Sequence, residues 1–96
     1  IKLKPDFALA YINLGYTLFL ELKYEEAISH YKTAIKLKPD FALAYNNLGY
    51  TLFLEQEYEK AISHYRIAIK HNPDLALAHI NLEIALKQLE RIEGFK

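Results

Sequence analysis

The side chains of this 96-residue chain that could do chemistry recur at a fixed interval. His30 and His64 stand 34 positions apart, as do Asn13, Asn47 and Asn81 in turn, and Glu25-Glu26 forms a carboxylate pair. Two histidines could begin a metal site, but zinc takes three or four protein ligands, and no third accompanies them. A solvated outer face is the expectation for both. Glu25 and Glu26 fall at a helix start on an exposed face, and nothing in the pattern gathers a Ser, a His and an acid into one pocket. His71 at a helix end and His79 at a packing position have structural roles. There is no cysteine, so disulfides and thiol chemistry are excluded. No catalytic residue, metal or cofactor is expected.

The asparagines are more suggestive. Each side-chain amide presents one acceptor and two donors, so a row of them could hold a peptide main chain whatever its sequence. Equally, each could satisfy a neighbouring helix or loop backbone. Both readings stand at this stage.

The interval belongs to the whole chain. Phe7 to Pro39 returns as Phe41 to Pro73 with roughly 25 of 34 positions identical, and begins again at Leu75. Repetition at this period marks a helical solenoid. Ala8 to about Leu20 is apolar almost all round and expects contact on every side. Tyr24, Ala27, Ile28, Tyr31, Ala34 and Ile35 form one stripe on a second helix, acidic at its start and basic at its end, as the helix dipole favours. Ala42 to Leu54 and Tyr58 to about His71 repeat the pair. Asp6, Asp40 and Asp74 follow three prolines and are placed to cap the next helix. The third unit has Glu83 where Gly15 and Gly49 stood. Its helix, about Ala76 to Ile92, reads as the polar cap that a solenoid needs. Residues 1–7 match the end of a truncated preceding repeat, 8–41 and 42–75 are repeats, and 76–96 are the cap and tail. The N-terminus looks cut and the C-terminus natural.

These residues resemble the tetratricopeptide repeat. Its pattern appears as Tyr11, Leu14-Gly15, Tyr24, Ala27, Tyr31, Ala34 and Pro39, and again as Tyr45, Leu48-Gly49, Tyr58, Ala61, Tyr65, Ala68 and Pro73. Leu22 and Gln56 depart from it where the family often has glycine, as do Leu18 and Leu52 where an aromatic is usual. The resemblance implies an all-α, right-handed superhelical stack of antiparallel helix pairs, an α-solenoid. First helices line a concave groove and second helices form the back. The expected groove positions are then Leu9, Ile12, Asn13, Tyr16, Phe19 and Leu20; Leu43, Asn46, Asn47, Tyr50, Phe53 and Leu54; and Leu77, Ile80, Asn81 and Ile84. The asparagine series is similar to that of the O-linked N-acetylglucosamine transferase repeats. The family's carboxylate clamp would want Lys at Ile12, Asn at Tyr16 and Asn47, Lys at Leu77 and Arg at Asn81. Only Asn47 fits, so a carboxylate should not be held that way.

The resulting expectation is a non-catalytic module that binds a protein or peptide partner in an apolar, aromatic and Asn-lined groove. Self-assembly into a homodimer or higher form, through the groove or the N-terminal face, is the alternative. High identity between units and the absence of Met and Cys would also suit an idealised repeat protein. Scatter such as Leu22 against Gln56 and Leu37 against His71 argues for natural descent. Twelve Lys/Arg balance twelve Asp/Glu, so the counterion release that drives nucleic-acid binding has no source. The eight tyrosines lack the basic channel that a base-stacking platform needs. No apolar run reaches the roughly 18 to 20 residues that span a bilayer. A soluble protein is expected, with an intracellular setting preferred.

Overall fold

A computed structural model describes residues 7–94. Residues 1–6 of the truncated preceding repeat, with Asp6 as a cap, lie outside the described residues. Five helices follow one another: α1 (Phe7–Leu20), α2 (Tyr24–Leu37), α3 (Ala42–Leu54), α4 (Tyr58–His71) and α5 (Ala76–Glu93). Each expected helix is present. α1 packs on α2 and α3 on α4, while α2 meets α3 and α4 meets α5. The result is an elongated stack in which α1, α3 and α5 run side by side on one surface.

The corner within each pair is closed by a residue in the left-handed region. Leu22 has φ 64° and Gln56 φ 66°, which are the two positions where glycine was missing from the repeat pattern. Leu22 N–H donates to the Phe19 carbonyl (2.9 Å) and Lys23 N–H to that of Leu18 (2.9 Å), and the same bonds recur from Gln56 and Glu57. These bonds satisfy helix-end carbonyls in the Schellman pattern, at a backbone strain that glycine would not bear.

The corner between pairs differs from expectation. Phe41 and Leu75, not Asp40 and Asp74, occupy the residue before each helix, and no side chain caps either. Lys38 to Phe41 instead close a turn, with Phe41 N–H donating to the Lys38 carbonyl (3.0 Å), and Asn72 to Leu75 do the same at 3.1 Å. Proline at the second position of a four-residue turn fixes its φ. That geometry carries the aspartate into solvent, one residue short of the helix.

Each pair is drawn together at a glycine. A Cβ on Gly15 would lie 2.7 Å from Cε1 of Tyr31, and one on Gly49 2.7 Å from that of Tyr65. Tyr31 and Tyr65 are fully buried, and burial pushes both hydroxyls up, Tyr31 to about 12. The alanines at 27, 34, 61 and 68 are also sealed. The core therefore runs through the stack as glycine, alanine and tyrosine layers, joined by Leu48, Leu52 and Ala85.

The two ends of the stack are not alike. Leu14 is 51% exposed although its counterpart Leu48 is 1% exposed, because α2 covers α3 and no described helix covers α1 in that way. At the other end α5 is less polar than the cap that was expected. Ile80, Ile84, Leu86 and Ile92 are all exposed on it, beside an exposed Lys87–Glu83 ion pair at 3.3 Å. Its buried contacts are Ala78 and Ala85.

Candidate functional site

The side-by-side helices α1, α3 and α5 present most of the expected groove positions together. Tyr16 is 50% and Tyr50 40% exposed, and Leu9, Leu20, Leu54, Leu77, Ile80 and Ile84 stand at comparable exposure. Asn13 is exposed, while Leu43 and Asn47 are half-buried. A single α1 ring links the repeats. Phe19 contacts Tyr16 on its own helix (ring centroids 5.9 Å), Tyr24 on α2 (5.6 Å) and Tyr50 on α3 (5.7 Å). Phe53 likewise meets the edge of Tyr58 (5.2 Å). Both phenylalanines are half-buried against the core, so they brace the wall from which Tyr16 and Tyr50 project.

Two expected groove positions lie beneath the surface instead. Ile12 is 3% exposed and belongs to the core where α1 approaches α3. Asn46, at the same place in the next repeat, is also 3% exposed, although it is polar. The cause is the lateral contact between neighbouring first helices, which spacing along one helix does not reveal. Asn46 Oδ1 accepts a hydrogen bond from Asn81 Nδ2 at 3.0 Å. Sequence spacing grouped Asn81 with Asn13 and Asn47 and missed this bond. The available signal was the replacement of isoleucine at 12 and 80 by asparagine at 46.

A cleft of about 280 Å³ opens between α3 and α5 over this pair, lined by Asn46, Asn47, Tyr50, Leu77 and Asn81. None of these residues carries charge. Three amides, a phenol and a leucine offer neutral donors and acceptors beside apolar walls, which suits an uncharged polar group and gives no compensation to a buried anion. Asn47, Leu77 and Asn81 occupy clamp positions, and they do converge here. The cations that would make the clamp are absent.

His30 and His64 do not lie on a fully solvated face as expected. His30 stacks at 5.9 Å on Tyr11 and donates its Nδ1–H to the Glu26 carbonyl (2.8 Å). His64 stacks at 6.1 Å on Tyr45, which also meets His71 at 5.9 Å. The His64 Nδ1 is buried without a hydrogen-bond partner among the described residues. Burial, and then the charge of Lys32, holds its pKa below the ordinary value. His79 donates Nε2–H to the Pro73 carbonyl at 2.7 Å. The second helices pack closely enough on Tyr11 and Tyr45 of the first to half-bury His30 and His64, while His71 and His79 stay exposed. Among the described residues no three metal-ligating side chains come together, and no helix is long and apolar enough to cross a membrane.

Two tetratricopeptide-repeat models match the chain, at residues 23–55 and 42–75. Together they span more than half of it. The chain belongs to the tetratricopeptide repeat family. Solved structures of the same fold include the second such domain of Spaghetti (RPAP3) bound to the HSP90 peptide SRMEEVD, with TM-score 0.84 and 27% identity over 90% of this chain and 80% of that one. The TPR2B domain of yeast Sti1 in its pHsp70 complex has TM-score 0.84 and 23% identity, covering 91% of this chain and 70% of that one. MamA has TM-score 0.81 and 31% identity, covering 84% of this chain and 47% of that one. No match was found among curated proteins.

Proposed function

We propose that this chain is a non-catalytic interaction module that takes an extended or helical peptide along the surface of α1, α3 and α5. The observation that carries this is the run of exposed apolar side chains on those helices, with Tyr16 and Tyr50 projecting from a braced aromatic wall. Contiguous apolar patches of more than a few hundred Å² mark interaction sites on soluble proteins. Aromatic anchors give large contact area with little rotamer entropy to lose, and truncating one costs about 2 kcal/mol or more. Asn13, Asn47 and Asn81 supply polar contacts along the same surface. The likeness to an RPAP3 domain holding a peptide supports the class of ligand. Its acidic character does not carry over, because Tyr16, Leu77 and Asn81 stand where a clamp needs other side chains and Ile12 is buried.

The test is a peptide selected from a random library against the parent chain, then assayed on two variants. Tyr16→Ala with Tyr50→Ala alters the groove, and Arg66→Ala with Lys70→Ala alters the exposed face of α4. Binding should fall at least tenfold in the first and persist in the second. The opposite pattern would move the site to the back. Exposure of Leu14 supports a second reading, self-association through the α1 face with another copy. Sedimentation should then show dimer rising with concentration and falling in Leu14→Lys, and a strict monomer to millimolar concentration would exclude it.

A further inference from the structure

Asn46 is one of the few positions where the two full repeats differ. Repeat one and the cap helix both carry isoleucine there, at Ile12 and Ile80. Burying an amide where a methylene chain fits is unfavourable unless its donors and acceptor are used. Only part of that capacity is used inside the protein. Oδ1 accepts from Asn81 Nδ2, but no hydrogen bond engages Asn46 Nδ2 among the described residues, and that nitrogen is not sealed from solvent. The opening that Asn46 lines is the α3–α5 cleft. By donating through Nδ2, Asn81 is fixed with its own Oδ1 uncommitted. The pair therefore leaves a donor on Asn46 and an acceptor on Asn81, on either side of their mutual bond.

We infer that the Asn46–Asn81 pair is a recognition site for the main chain of an extended peptide at an interior residue, whose C=O takes the Asn46 donor and whose N–H takes the Asn81 acceptor. In an extended strand the N–H and C=O of one residue point to the same side, as they do when a residue exchanges both bonds with a partner strand. A C-terminal residue keeps its N–H, but in place of a neutral C=O it brings an anionic carboxylate. That charge would enter a cleft with no cation to balance it. The pair thus selects internal segments over free C-termini, while Tyr50 and Leu77 contact the flanking side chains. This assignment rests on the groove being the binding surface.

The experiment separates the two. Seven-residue segments displayed with flanks at both ends are selected on the 96-residue chain, and the strongest binder is synthesised acetylated, amidated and fluorescently labelled. Single N-methyl replacements along that heptapeptide remove one main-chain donor at a time. One position should lose at least tenfold in affinity on the parent chain. On Asn46→Ile the unmodified peptide should bind at least tenfold more weakly, and methylation at that position should cost nothing further. Isoleucine stands at this place in the neighbouring units, so the variant should keep its helical signal and cooperative unfolding. The unmodified peptide with a free C-terminal carboxylate at that position should bind no better than the N-methyl form. If Tyr16→Ala with Tyr50→Ala abolishes binding but Asn46→Ile and every N-methyl peptide bind as the parent does, the groove stands and the amide pair has no such role. Failure to select any groove-dependent peptide would overturn both proposals.

Discussion

Replacing Gly49 by alanine tests the packing on which the stack depends, because two effects of known sign oppose each other there. In a helix interior, glycine to alanine ordinarily stabilises by about 1 kcal/mol. Here the new Cβ would lie 2.7 Å from Cε1 and 2.9 Å from Cδ1 of Tyr65, and 3.2 Å from the Ala61 carbonyl oxygen. Carbon atoms prefer separations of about 3.5–4.0 Å, so the ring must retreat by about 1 Å or α3 must lift from α4. Tyr65 is fully buried among alanines that are themselves sealed, and the carbonyl is part of the α4 backbone. Overpacking of this kind costs about 1–3 kcal/mol. With a sealed ring at 2.7 Å the cost falls in the upper part of that range, about 2–3 kcal/mol, so after the helix-propensity gain the net loss should be roughly 1–2 kcal/mol. Each kcal/mol corresponds to about 4–8 °C in Tm for a domain of this size. Thermal and urea unfolding followed by circular dichroism would measure it, with Glu83→Ala at the equivalent exposed place on α5 as the control that should not destabilise. In a Tyr65→Leu background the alanine should cost less than in the parent. A Gly49→Ala chain as stable as the parent, or more so, would refute the assignment of this glycine to the tyrosine contact.

Two further outcomes concern the corners and a buried histidine. Leu22→Gly and Gln56→Gly should each raise stability by about 1 kcal/mol, since both side chains are exposed and both backbones sit where an L-residue is strained; urea midpoints that do not move would show that the corners are held by contacts of those side chains. His64 is held neutral by burial, so its folded pKa lies below the unfolded value near 6.5. At higher pH it is neutral in both states and contributes no pH dependence. Between the two values the unfolded chain binds the extra proton, and stability falls as pH drops through that window. Unfolding free energies at pH 7.5 and 5.5 should therefore diverge more in the parent than in His64→Phe, and equal slopes would show that His64 is accessible to water.

Helix number, order and ends are legible in the sequence, because they follow from local periodicity, proline positions and the internal repeat. The tight pairing at Gly15 and Gly49 was legible for the same reason, although the tyrosine rings that fill it were not. Leu22 and Gln56 signalled a strained corner only as departures from a glycine. The aspartates misled in the other direction. Their composition suits a helix cap, but the preceding proline closes a turn that ends one residue later.

What the sequence determined by itself was whatever depends on neighbours along the chain: five helices, their pairing and the neutrality of the groove side chains. The tertiary structure alone decided how first helices lie against each other, and so decided that Ile12 and Asn46 sink beneath the floor. It also turned Asn81 towards Asn46 rather than leaving it in an open series, and set His30 and His64 against tyrosine rings. The physical reason is one of range. Helical periodicity fixes which residues share a face, but burial on that face depends on the distance to a helix 34 residues away in sequence. That distance is set by side chains on both helices together.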